Sequence, residues 1–291
     1  MLSRRDFLRT GAAVTAAAAL PGGALAGLDA EPVTGPPIHP PDPQTPWFEL
    51  GVASYSLRAF PLERVLEMTG RLGIRRLTLK DMHLPLGWTD QEIADAKRTI
   101  HAAGLELTSC GVVYMKTEEE VRTGFAYAQR AGINVLVGVP DARLLGLAEQ
   151  MVKHTGIALA VHNHGPGDER YPSPESAYTL MKGMDKRMGL CLDMGHTMRL
   201  GLDPAAEAER FFDRLLDVHL KDVSSADAKG RTVEIGRGVI DIPRFLAAMT
   251  RRQYAGTLHF EFEKDEQDPL PGLAESVGYV RGVLAGLRHT I

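Results

Sequence analysis

The chain has 291 residues, 44% of them apolar and 24% charged, which is globular composition with enough length to bury a large core. A formal charge of −4 supplies neither a basic face for nucleic acid nor an acidic tail. Two cysteines exclude a disulfide scaffold and a thiolate zinc module.

Ser3-Arg4-Arg5-Asp6-Phe7-Leu8 precedes an Ala-rich stretch from Gly11 to Leu20 and the small residues Ala24-Leu25-Ala26. A basic start, a mild apolar segment and a small-residue cleavage point predict a twin-arginine signal peptide over residues 1–26, and with it a periplasmic or exported protein. A membrane anchor needs about 20 strongly apolar residues, and Ala with Gly is too weakly apolar for that. No membrane anchor is expected after signal removal. Seven prolines between Pro32 and Pro46 predict an extended tether, so residues 27–46 read as a Pro-rich linker. The folded, catalytic domain is expected over 47–291.

From Trp47 onwards, short apolar runs alternate with helical patterns. The runs are Leu50–Leu57, Arg75–Leu79, Leu105–Val112, Val135–Val139, Ala158–Val161, Gly189–Leu192, Leu215–Leu220 and Thr257–Phe260. Between the first two, Leu62, Val65, Leu66, Thr69 and Leu72 follow helical spacing. Thr89 with Glu92 and Thr117 with Glu120 have capping-box spacing. Ser173-Pro174 and Asp203-Pro204 set an N-cap before a proline at the first helical position. Gly73, Gly104, Gly132 and Gly156 are expected to stop helices ahead of the next strand. Eight strand–helix units in about 250 residues predict a closed (β/α)8 TIM barrel. An open doubly wound sheet would want a glycine fingerprint after the first strand, and Ser54-Tyr55-Ser56-Leu57-Arg58 supplies none.

In such a barrel chemistry sits at the carboxyl ends of the strands. Run five ends in His162-Asn163-His164, run six in Asp193-Met194-Gly195-His196, run seven in His219-Leu220-Lys221-Asp222 and run eight in His259-Phe260-Glu261-Phe262-Glu263. Any one of these has an ordinary packing explanation. Together they make an inward ring of imidazoles and carboxylates that is expensive to bury without a cation or a full hydrogen-bond network. Strand alternation puts Leu216, Val218, Leu220, Phe260 and Phe262 towards the helices, and His219, Lys221, His259, Glu261 and Glu263 inward. Asp217 shares the inward parity, lower down, with no role assigned. Cys110 and Cys191 read as buried small residues rather than a disulfide.

These motifs, with Lys80-Asp81-Met82-His83-Leu84-Pro85-Leu86 and Gly236-Arg237-Gly238, resemble the xylose-isomerase-like barrels, in the branch called sugar phosphate isomerases/epimerases. The resemblance covers residues 49–287. It implies a divalent metal held by His162, Asp193, His219 and Glu261, with His196 touching substrate. It also exposes a departure: family epimerases commonly pair a strand-five glutamate with one from strand eight, and His162 stands at the strand-five position. One negative charge fewer among the ligands tilts the expected metal from Mg towards Mn or Zn.

The expected chemistry is proton abstraction next to a carbonyl. Glu261, Lys80, His196 and His83 are the candidate catalytic groups. His164, Asn163, Lys221 and Arg237 are the candidate substrate-binding groups, and Trp47, Tyr55, Trp88 and Tyr114 are aromatics that either stack a sugar or pack. The leading expectation is an exported metal-dependent sugar isomerase or epimerase. Its rivals are a lyase cleaving 3-keto-glycosides by β-elimination and a non-catalytic sugar-binding barrel. The partner expected is a small sugar or keto-sugar, in a chain compatible with homo-oligomers. DNA phosphodiester cleavage, known on related barrels, is disfavoured by the negative charge and the export signal.

Overall fold

The computed structural model describes residues 47–288; the signal peptide and the Pro-rich linker lie outside the described residues. Eight parallel strands close into a barrel: β1 (Glu49–Ala53), β2 (Arg76–Leu79), β3 (Glu106–Met115), β4 (Val135–Pro140), β5 (Ala158–His162), β6 (Met188–Asp193), β7 (Leu215–Leu220) and, after a two-stranded hairpin of β8 (Asp222–Val223) and β9 (Thr232–Val233), β10 (Thr257–Phe260). Each barrel strand pairs with its neighbours in chain order, and β10 closes on β1. Around them run α1 (Leu62–Arg71), α2 (Asp90–Ala102), α3 (Glu118–Ala131), α4 (Leu145–Thr155), α5 (Pro174–Met181), the short α6 (Met194–Met198), α7 (Pro204–Arg210), α8 (Ile242–Arg251) and α9 (Leu270–Arg288).

The helix boundaries follow from local chemistry. Thr89 and Thr117 each form the expected capping box with a glutamate three residues on. Ser173 and Asp203 cap helices that begin with proline. Gly132 and Gly156 end α3 and α4 in the left-handed conformation that a residue without Cβ adopts freely. No helix among the described residues is long and apolar enough to cross a membrane.

Two apolar clusters lie between barrel and helices, one around Phe125, Leu136 and Leu159, the other around Phe245, Phe260 and Val280. The barrel interior is partly polar. Asp217 accepts from Val218 N at 2.7 Å and Ser109 Oγ at 3.0 Å, and meets His259 Nδ1 at 2.7 Å. His259 Nε2 in turn lies 2.8 Å from Thr108 Oγ1. Asp217, which has no legible partner in the sequence, is thus the hub of a buried network below the strand ends. The His259 ring fits because its neighbour across the sheet is Gly51, where a Cβ would collide with it.

Candidate metal centre

Register fixes the height of the site. Asp193 on β6 lies beside His219 on β7, His219 beside His259 on β10, and Glu261 comes two residues later, one layer higher. His162 closes the set from the last residue of β5. All four side chains are buried, and one donor atom from each lies within 4.8 Å of the others. His162 Nε2 is 3.1 Å from His219 Nδ1, which is 3.1 Å from Glu261 Oε2; Asp193 Oδ2 lies 3.7 Å from the first nitrogen and 4.0 Å from the second. Tetrahedral ligands about 2.1 Å from a cation stand about 3.4 Å apart, so this spacing suits a first-row divalent ion. Two ring nitrogens facing each other, beside an Asp193 oxygen that receives no hydrogen bond, are a donor set that a cation satisfies. The residues present fit the group.

The two oxygens of Asp193 have separate duties. Oδ1 accepts from His196 N at 2.7 Å and caps α6, which fixes the carboxylate and leaves Oδ2 facing the cluster. Burial resists charging Asp193, but His196, Lys221 and His162 outweigh it and hold the carboxyl well below its usual range. Glu261 is held low in the same way, by His219 and Lys221 against its own burial. Burial pushes His162 down to about 3, so its ring is neutral and its lone pair available at neutral pH.

Lys221 is fully buried among three carboxylates. Its Nζ stands 3.0 Å from Asp193 Oδ2, 2.9 Å from Glu261 Oε2 and 2.5 Å from Glu263 Oε1, and only the last contact has hydrogen-bond geometry. The ammonium therefore borders the four-residue cluster. Cys191 also borders the cluster, its sulfur within 4.8 Å of a nitrogen of each of the two histidines, and burial pushes its thiol up to about 12.

His164 packs over His162, with ring centroids 4.5 Å apart, and His196 stands 6.0 Å from His162. These two join the cluster at the mouth. Lys80 lies at the end of β2, its ammonium 4.1 Å above the Tyr55 ring. His83 is buried with Nε2 on the Phe60 carbonyl at 2.9 Å. Asn163 is committed to the scaffold: it accepts from Asp193 N and donates to Asp193 O and Thr197 Oγ1, tying β5 to β6. Arg237 is not brought to the cluster, because its guanidinium forks onto Glu275 of α9 at the surface. The glycines flanking it have another cause. The buried Asp222 carboxylate accepts from Val223, Gly236, Gly238 and Ile240 N, and a Cβ at Gly238 would strike it. The Lys-Asp and Gly-Arg-Gly motifs thus meet as a loop anchor. Cys191, Glu263 and Tyr114 at the site were left without a firm role by sequence, since what each meets there comes from other strands.

The fold defines a closed parallel βα barrel whose polar residues gather at the strand ends. Residues 142–283 match the family described as xylose isomerase-like TIM barrel, and residues 1–21 match the TAT pathway signal sequence. The family match covers the later part of the barrel, just under half of the chain, and the signal match marks the chain for export. It is similar to the rhizopine catabolism protein MocC of Rhizobium meliloti, 32% identical over 153 residues, a match spanning 47% of this chain and 46% of that protein. The solved structure of L-ribulose 3-epimerase aligns over 84% of this chain and 96% of its own, with TM-score 0.67 and 17% identity. The probable 3-DHS dehydratase AsbF of Bacillus anthracis aligns over 80% and 99%, with TM-score 0.65 and 12% identity. At these identities the two structures establish the shared fold.

Proposed function

We propose that the protein is an exported, divalent-metal-dependent sugar isomerase or epimerase that moves a proton next to a carbonyl. The observation that carries this reading is the convergence of His162 Nε2, Asp193 Oδ2, His219 Nδ1 and Glu261 Oε2 from four consecutive barrel strands. A divalent cation held there would polarise a substrate carbonyl and stabilise the charge that develops on it. The protein groups supply the rest. Lys221, at the edge of the cluster, donates a hydrogen bond to a substrate oxygen. His196, which burial keeps neutral against the pull of Asp193, takes the proton from the neighbouring carbon and returns it. Lys80, over Tyr55, contacts the far end of the substrate.

A second reading keeps the same proton abstraction and ends in β-elimination from a 3-keto-glycoside. It is favoured by His162 at the strand-five position, which leaves no carboxylate there to reprotonate from the opposite face. Incubation of the manganese-loaded protein in D2O with ketoses and with 3-keto-glucosides tests both. Solvent deuterium in a recovered epimer or isomer supports the first, and aglycone release without epimer supports the second. No exchange and no release with any of them rejects proton abstraction.

A further inference from the structure

Where it pairs with β4, strand β3 carries one residue more than its partner. Ser109 and Cys110 pair with Val135 and Leu136 on β4, yet Val113, Tyr114 and Met115 pair with Gly138, Val139 and Pro140. Three steps along β3 thus answer two along β4. The irregularity spans Gly111, at φ 134°, where a Cβ would collide with the Val137 carbonyl. A bulge of this kind reverses which face the following side chains occupy. Ser109 points into the barrel, where it bonds Asp217, so unbroken alternation would send Tyr114 into the helix layer. Instead Met115 packs beside Gly124 of α3, and Tyr114 turns to the mouth, 43% exposed. There Tyr114 Oη lies 2.8 Å from His164 Nε2, and His164 abuts both His162 and His196. In the ring of strands β3 stands opposite β7, which leads into Lys221.

We propose that Tyr114 is a catalytic residue whose hydroxyl donates a hydrogen bond to the substrate oxygen on which negative charge develops, with His164 as the positioning residue that holds it. This rests on the proton-abstraction reading and is common to its isomerase and lyase outcomes. His164 Nδ1 makes no hydrogen bond, its nearest carboxylate oxygen, Asp168 Oδ2, standing 4.0 Å away, beyond bonding reach, whereas Nε2 is 2.8 Å from Tyr114 Oη; the ring proton is assigned to Nε2 on that geometry. Nε2–H then donates to Tyr114 Oη, and the phenol O–H is left to point at substrate. Partial burial, with Asp168 nearby, raises the Tyr114 pKa and keeps the phenol protonated, as a donor must be. No bond to Tyr114 forms or breaks; it stabilises charge from the side opposite Lys221.

The test compares wild type, Tyr114→Phe, His164→Ala and His164→Gln, manganese-loaded, in D2O with the same ketoses and 3-keto-glucosides, with metal content measured alongside. Loss of one such donor lowers kcat by about 100-fold, and KM and metal content should stay near wild type in Tyr114→Phe. His164→Ala should follow it, and His164→Gln, whose amide N–H can replace Nε2–H, should recover most of the rate. Tyr114→Phe turning over at the wild-type rate overturns the inference while leaving the proposed function standing. Wild type that neither exchanges deuterium nor releases aglycone removes the proposed function, and this inference with it.

Discussion

Asp193 joins local structure to chemistry in a single side chain, one oxygen capping α6 and the other facing the cluster. Asn caps helices as well as Asp does, and Lys221 keeps Glu261 and Glu263 when the Asp193 charge is removed. Asp193→Asn should therefore stay folded yet bind Mn or Zn at least about 10-fold more weakly in calorimetric titration. Unchanged affinity would take Asp193 out of the ligand set. His162 gives a pH signature. Its folded pKa lies far below the ordinary 6.5, so the unfolded chain takes up a proton that the fold refuses. The stability this contributes is complete above about pH 6.5 and is lost as pH falls towards the folded value, with a slope of about 1.4 kcal/mol per pH unit. Between pH 6 and 4 the metal-free His162→Gln variant should show a shallower decline than wild type by that slope; parallel curves would mean that His162 is not buried neutral. Asp217→Ala leaves His259, Ser109 and Val218 N without their acceptor. It should destabilise the fold in urea unfolding by about 1–3 kcal/mol for each buried donor left unpaired.

At the level of elements, the helix ends were legible because a cap is a local event. Thr89–Glu92, Thr117–Glu120 and Ser173-Pro174 each make their bonds within a few residues of chain. Strand alternation was legible in β7 and β10 for the same reason, and it placed His219, Lys221, Glu261 and Glu263 inward as the structure has them. It fails in β3, where the bulge spanning Gly111 resets the parity and only the partner strand reveals it. The Asp222 anchor was hidden likewise: its acceptors reach amides 14 to 18 residues further on, so Gly236 and Gly238 looked like part of a binding loop. Asp222→Ala should speed hydrogen exchange at the amides of Gly236, Gly238 and Ile240 while metal content stays at the wild-type level. Protection retained at all three would show that the loop holds without its carboxylate.

For the molecule as a whole, eight strand–helix units closing on themselves decide where function sits, because every strand ends at the same rim. The alternation of apolar runs made that closure readable from sequence. The long-range pairings inside it, Asp217 with His259 and Lys221 with three carboxylates, required the closed barrel to bring β7 and β10 side by side. The same closure turns four weak sequence signals into one donor set, and the account stands or falls on that set binding an ion. Diffraction at the manganese absorption edge from crystals of the manganese-loaded protein addresses this directly. The account predicts one anomalous peak at the C-terminal rim, within about 2.0–2.3 Å of His162 Nε2, Asp193 Oδ2, His219 Nδ1 and Glu261 Oε2. A peak elsewhere, or none in a saturated crystal with Lys221 still lodged against Asp193 and Glu261, would contradict it.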